Sequence, residues 1–171
     1  STDGYIGGFF LPGDLLPSLV HSDCTNAMEI FYTIVPDPAG TYGNVFETAK
    51  ALESIEGILG HEFVHMIMFN YRLLKYGEGF LVEYIEETWL EEGLAHMAED
   101  LNGYLDGNIG RANRFLRNPG DFSLTYGKDG LAERGAAFLF RRFLGDRYGN
   151  SIFKYMVQSK PSGMGNIENA V

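Results

Sequence analysis

Two histidines and a glutamate stand close together in His61-Glu62-Phe63-Val64-His65. Histidines four residues apart lie on one face of a helix, one turn above the other, so both can reach a single ion. Imidazole nitrogen suits zinc. The intervening Glu62 would act as general base, taking a proton from zinc-bound water as that water attacks a carbonyl. The spacing therefore predicts zinc-dependent hydrolysis of peptide bonds in a helical setting.

A catalytic zinc ion needs a third protein ligand besides the two histidines. A third histidine at the H-E-x-x-H-x-x-G-x-x-H spacing would fall at position 71, where Tyr71 stands, and Met68 replaces the glycine. That class of metalloprotease is therefore excluded. The single cysteine, Cys24, also excludes an internal disulfide and a thiolate zinc site of the finger type.

The segment 89–100 is the better source of this ligand. Glu92 lies 27 positions beyond His65, which is enough for a loop and the start of a second helix to fold back. His96 follows Glu92 by four residues and shares its helix face. We expect His96 to orient a ligand or to line the cleft, with direct ligation as the alternative. Glu99 would hydrogen-bond a zinc histidine or lie on a solvated acidic face.

These two segments resemble the gluzincin metallopeptidases, whose third zinc ligand is a glutamate in a W-L-x-E-G-x-A segment. The chain resembles in particular the hyicolysin-like peptidases of bacteria, which share H-E-F-x-H-M and W-L-x-E-G-L-A-x-x-A-E-D. A weaker likeness extends to residues 7–10 and 26–29. The resemblance implies that Glu92 is the third zinc ligand and that Glu91 occupies a variable position. It also implies a zincin-like fold and export from a bacterial cell.

The oxyanion that develops during hydrolysis needs a donor, commonly Tyr, His or Arg. Residues 131–140 resemble the helix in which aminopeptidase-type gluzincins place a tyrosine directly before an E-K-G segment. Here Ala132 takes that place, so Tyr126, six residues upstream, or His96 is expected to serve. The segment 26–30 resembles the G-A-M-E-N strand that binds a substrate's free amine. Here Ile30 replaces the asparagine of that strand, so binding of a free amine, as in an aminopeptidase, is not expected. The chain is therefore predicted to be an endopeptidase.

Hydrophobic periodicity and turn residues predict the elements that position these groups. Two strands are expected in the N-terminal third, and helices follow from about residue 45 onward. The predicted strands are 5–11 and 28–35, the helices 45–76, 82–101, 109–116, 131–148 and 151–159, and the loops 118–130 and 163–171. The chain is thus expected to be one α+β catalytic domain, residues 1–171, with a β-rich part (1–43) and a helical part (44–171). The loop-like ending predicts a piece trimmed from a longer chain.

The formal net charge of −10 makes nucleic acid and anionic lipid poor partners. No window approaches the roughly 18 unbroken apolar residues of a membrane span, and no signal peptide pattern begins at Ser1. A polypeptide substrate is the expected partner, and the oligomeric state is not indicated. Two alternatives remain open: a zinc-binding module without turnover, which Ala132 favours, and an inactive fragment of a larger protease. Retention of Glu62 favours an enzyme, since a structural site needs no base.

Overall fold

The computed structural model describes residues 7–15, 26–75, 85–125 and 129–171. These residues form a mostly helical fold with a short two-stranded sheet near the N-terminus, which confirms the α+β prediction. The chain divides into two compact units, and the boundary falls between Phe63 and Val64.

The first unit contains the sheet. Strand β1 (Gly8–Phe10) pairs antiparallel with β2 (Phe31–Thr33), and Gly8 lies opposite Thr33. The rings of Phe9 and Tyr32, which face each other across the pair, stack at a centroid distance of 4.7 Å. Gly8 is required here, because a Cβ atom would lie 2.6 Å from the Ile58 side chain and 2.7 Å from the Tyr32 carbonyl oxygen. Both strands are shorter than the predicted 5–11 and 28–35.

Helix α1 (Thr48–Phe69) begins in the first unit and continues into the second. It carries the His61-to-His65 segment without interruption, so the helical setting required by the motif is present. A π-helical turn, Asn70–Lys75, extends it. One long helix is therefore present as predicted, but it begins at Thr48 and not at residue 45, because Phe46 pairs with Asp37 in an antiparallel bridge.

The second unit adds five helices among its described residues. They are α2 (Thr88–Leu101), α3 (Asp106–Arg117), α4 (Leu131–Tyr148), α5 (Ser151–Gln158) and α6 (Gly163–Ala170). Apolar side chains from these helices and from the C-terminal end of α1 form one core. Its most buried members are Met68, Leu90, Leu94, Met97, Phe138, Leu144, Ile152 and Met156. None of the helices within the described ranges is long and apolar enough to cross a membrane.

Two predictions for this unit are wrong: the start of one helix and the structure of the last segment. The helix expected from residue 82 begins at Thr88, because residues 85–87 are not helical and Glu87 has an extended ψ of 132°. Residues 82–84 lie outside the described residues. The segment 163–171, predicted to be a loop, forms helix α6, where Ile167 is buried in the core and the Asn166 amide donates to the Met156 carbonyl at 2.9 Å.

Candidate active site

His61 and His65 lie one turn apart on α1, as their spacing requires. His61 is only 8 % exposed, and His65 is half-buried. The helix thus places both imidazole groups on one of its faces.

Glu62 is held by the neighbouring strand of its own unit. The main-chain N–H of Phe10, at the end of β1, donates to Oε2 of Glu62 at 3.0 Å. This contact gives a polar partner to a carboxylate that stands in a largely apolar helix. It also restricts the rotamer of Glu62.

His65 lies between two consecutive glutamates of α2. Its Nδ1 lies 3.0 Å from Oε1 of Glu91, and its Nε2 lies 3.8 Å from Oε1 of Glu92. A carboxylate only accepts hydrogen bonds, so Nδ1 is the donor to Glu91. In a neutral ring this leaves the lone pair on Nε2, the nitrogen that faces Glu92. A histidine held in this way is prepared to bind a metal through Nε2.

His96 approaches Glu92 from the other side. It is fully buried, its Nδ1 lies 2.9 Å from Oε1 of Glu99, and its Nε2 lies 3.8 Å from Oε2 of Glu92. The backbone carbonyl of His96 also accepts a hydrogen bond from Asn108 on α3 at 2.9 Å. Glu99 was expected to hydrogen-bond a zinc histidine, and the partner observed is His96.

Arg134, in the first turn of α4, completes the surroundings of Glu92. Its Nη1 lies 3.0 Å from Oε2 of Glu92. Both residues line a cavity of about 650 Å³ in the second unit, together with Trp89, Leu124 and Thr125. The Glu92 side chain therefore borders this cavity.

Two positions considered for the oxyanion donor remain, Tyr126 and Ala132. Tyr126 lies outside the described residues. Ala132 is buried on α4 and offers no donor. Sequence reasoning missed two contacts. Glu91 occupies a position that was considered variable. Only its place beside Glu92 could have indicated its contact with His65. The sequence indicated the contact of Arg134 with Glu92 only weakly, in that Arg134 occupies the place of the lysine in the E-K-G pattern.

Comparison with known proteins gives one informative relative. The chain is 30 % identical over 178 residues to the neutral metalloprotease ShpI of Staphylococcus hyicus, and the match covers 100 % of this chain. The chain spans only 38 % of that relative's length. No family model matches the chain, and no solved structure matches it significantly. The similarity to ShpI, together with the His and Glu ligand atoms found close together, supports a metallopeptidase relationship.

Proposed function

We propose that this chain is a zinc-dependent peptidase in which His61, His65 and Glu92 hold the metal and Glu62 is the general base. The observation that carries the proposal is the arrangement around His65. Glu91 binds Nδ1 of this ring at 3.0 Å, while Nε2 faces a carboxylate oxygen of Glu92 at 3.8 Å. The similarity to a neutral metalloprotease supports the same reading.

The donor atoms suit zinc. Two ligands of one tetrahedral zinc ion, with bonds of about 2.0–2.2 Å, stand roughly 3.4 Å apart. Nε2 of His65 and Oε1 of Glu92 are 3.8 Å apart, so a closure of a few tenths of an ångström suffices. Two imidazoles and one carboxylate form the ligand set of a catalytic site that keeps one position open.

The side chains supply positioning and proton transfer. Zinc, when bound, supplies a Lewis acid that polarises a carbonyl and lowers the pKa of water to about 7. Glu62 accepts the proton of the attacking water and passes it to the leaving amine. The N–H of Phe10 holds Oε2 of Glu62, which leaves Oε1 to take the proton.

We assign the oxyanion donor to Tyr126, with His96 as a supporting residue. Full burial of His96 and its position 3.8 Å from Glu92 favour a role in orienting that glutamate over contact with the substrate. Ala132 favours the second candidate function, a zinc-binding module with weak or no turnover. Residues 1–171 would act as one catalytic domain on polypeptides, as an endopeptidase exported from a bacterial cell.

Glu62→Gln tests the proposal. The variant should keep about one zinc per chain and lose cleavage of a denatured protein substrate by about a hundredfold to ten-thousandfold. Glu53→Gln is the matched control, since Glu53 is an exposed glutamate on the same helix. A wild-type chain that binds no zinc refutes the proposal. Zinc binding without cleavage by the wild-type chain would select the second candidate function.

Tyr126→Phe tests the donor assignment separately. We expect a fall in kcat with little change in zinc content, because a lost oxyanion donor affects the transition state. An unchanged kcat would remove Tyr126 from the mechanism.

A further inference from the structure

Arg134 contacts the glutamate proposed to bind zinc, through the oxygen that does not face His65. Its Nη1 lies 3.0 Å from Oε2 of Glu92, whereas Oε1 of Glu92 faces Nε2 of His65. The side chain of Glu92 is only 13 % exposed, and that of Arg134 is 28 % exposed. Oε1 of Glu92 is therefore turned toward His65, and Oε2 is turned toward Arg134 and, at 3.8 Å, toward Nε2 of His96.

Asp129 holds the other side of the same guanidinium. Nε of Arg134 donates to Oδ1 of Asp129 at 2.9 Å, and Nη2 donates to Oδ2 at 2.6 Å. This bidentate arrangement fixes both the position and the plane of the guanidinium. Nη1 is consequently presented to Glu92 in one orientation.

The charges explain why both partners are needed. A carboxylate that binds a metal through one oxygen is better oriented when a donor holds the other oxygen. A bare guanidinium this close to a divalent cation would repel it. The bidentate carboxylate of Asp129 offsets the positive charge of Arg134 through Nε and Nη2, while Nη1 lies beside Glu92.

We propose that Arg134, fixed by Asp129, is a positioning residue that turns Oε1 of Glu92 toward the metal. The inference rests on the proposed function, because it assigns the metal to Glu92. It also gives Arg134 a role different from that of an oxyanion donor, which would touch the substrate.

Zinc affinity, measured by competition with a chelating dye, tests the inference. Arg134→Met should weaken zinc binding about tenfold to a hundredfold, the range for lost partners of metal ligands. Arg134→Lys should recover part of this loss, because it keeps the charge and one donor. The cobalt-substituted Arg134→Met protein should also show an altered visible spectrum, since the spectrum reports the ligand geometry.

Arg142→Met is the matched control. Arg142 lies on the same helix and forms ion pairs with Asp100 at 2.9 Å and Asp146 at 3.0 Å, but it has no contact with Glu92. Its substitution should leave zinc affinity and the cobalt spectrum unchanged. Asp129→Asn provides a second variant that keeps Arg134, and it should weaken zinc binding because the guanidinium charge is no longer offset.

The outcomes are distinguishable. If the wild-type chain binds zinc and both Arg134→Met and Asp129→Asn bind it equally well, the positioning role is refuted and the proposed function stands. If Arg134→Met keeps zinc affinity and the cobalt spectrum but loses kcat, Arg134 acts on the substrate and the inference is wrong. A wild-type chain that takes up no zinc overturns the proposed function and the inference with it.

Discussion

Glu91 accepts a hydrogen bond from Nδ1 of His65 at 3.0 Å, directly beside the residue proposed to share a metal with that ring. Two consecutive glutamates on one helix thus face the two nitrogens of one histidine. The contact with Glu91 fixes the tautomer and the orientation of the His65 ring. Under the proposed function, the W-L-E-E-G-L-A segment would supply both a ligand, Glu92, and the residue that orients another ligand, Glu91.

Glu91→Ala should weaken zinc binding about tenfold to a hundredfold, because His65 loses the acceptor that fixes its ring. Glu92→Ala should weaken it much further, because it removes a ligand. Asp100→Ala, which removes another α2 carboxylate, one that pairs with Arg142 at 2.9 Å, should leave zinc affinity unchanged. Titration of the three metal-free variants with zinc checks the order. Equal affinities for the wild-type chain and Glu91→Ala would show that His65 is held by other contacts.

The sequence predicts those features whose determinants are local. Helix α4 has the predicted bounds, Leu131–Tyr148, because Gly130 and Gly149 flank it directly. The spacing of His61 and His65 encodes their shared face directly. In contrast, the Glu91 contact with His65 joins residues 26 positions apart, and nothing in a single sequence identifies the pair.

Helix α6 was missed because distant contacts outweigh weak local propensity. Its Gly165 disfavours a helix by about 1 kcal/mol relative to alanine. Gly163, where the helix begins, has a positive φ of 57°. The Asn166 amide, however, donates to Oε2 of Glu86 at 2.6 Å, across 80 positions of sequence. Burial of Ile167 in the core adds apolar contacts that a local pattern of this length does not reveal.

Glu86→Gln tests the importance of this network. The buried carboxylate accepts from Arg72 at 2.6 Å, from Asn166 at 2.6 Å and from the N–H of Gly163 at 2.6 Å. Burial holds the pKa of Arg72 below its ordinary value. The buried guanidinium charge therefore destabilises the fold when it has no carboxylate partner. We expect a loss of about 3–5 kcal/mol in the free energy of unfolding. Urea unfolding measures it, and Glu168→Gln, at an exposed glutamate of α6, is the control.

Two glycines near the contact between α3 and α4 should respond to alanine in opposite directions. A Cβ atom on Gly135 would overlap the Arg111 carbonyl, so Gly135→Ala must separate the helices. We expect a loss of about 1–3 kcal/mol or more. A Cβ atom on Gly110, within α3, meets no atom within 4 Å, so Gly110→Ala should stabilise the protein by up to about 1 kcal/mol. Thermal unfolding of both variants checks the signs, and stabilisation by Gly135→Ala would contradict the close approach.

The Asp14–Tyr32 hydrogen bond in the first unit should make stability depend on pH at both extremes. The Tyr32 hydroxyl donates to Oδ2 of Asp14 at 2.6 Å, and Asn26 donates to Oδ1 through its N–H at 2.8 Å. The Tyr32 hydroxyl and, to a smaller extent, Asn26 lower the pKa of Asp14. The hydrogen bond to Asp14 raises the pKa of Tyr32.

The direction of each change in stability with pH depends on which protonation state the Asp14–Tyr32 hydrogen bond favours in the folded protein. A lowered carboxyl pKa contributes stability above about pH 4 that is lost as the pH falls through the folded value. A raised tyrosine pKa contributes stability below about pH 10 that is lost as the pH rises through the folded value. Tyr32→Phe should therefore destabilise the protein by a constant amount from about pH 5 to 9, and by less at either extreme. Urea unfolding across pH measures the difference. In an Asp14→Asn background the acid-side pH dependence of the Tyr32→Phe effect should disappear, and its persistence there would assign it to another group. On the alkaline side a smaller dependence should remain, because burial also raises the pKa of Tyr32.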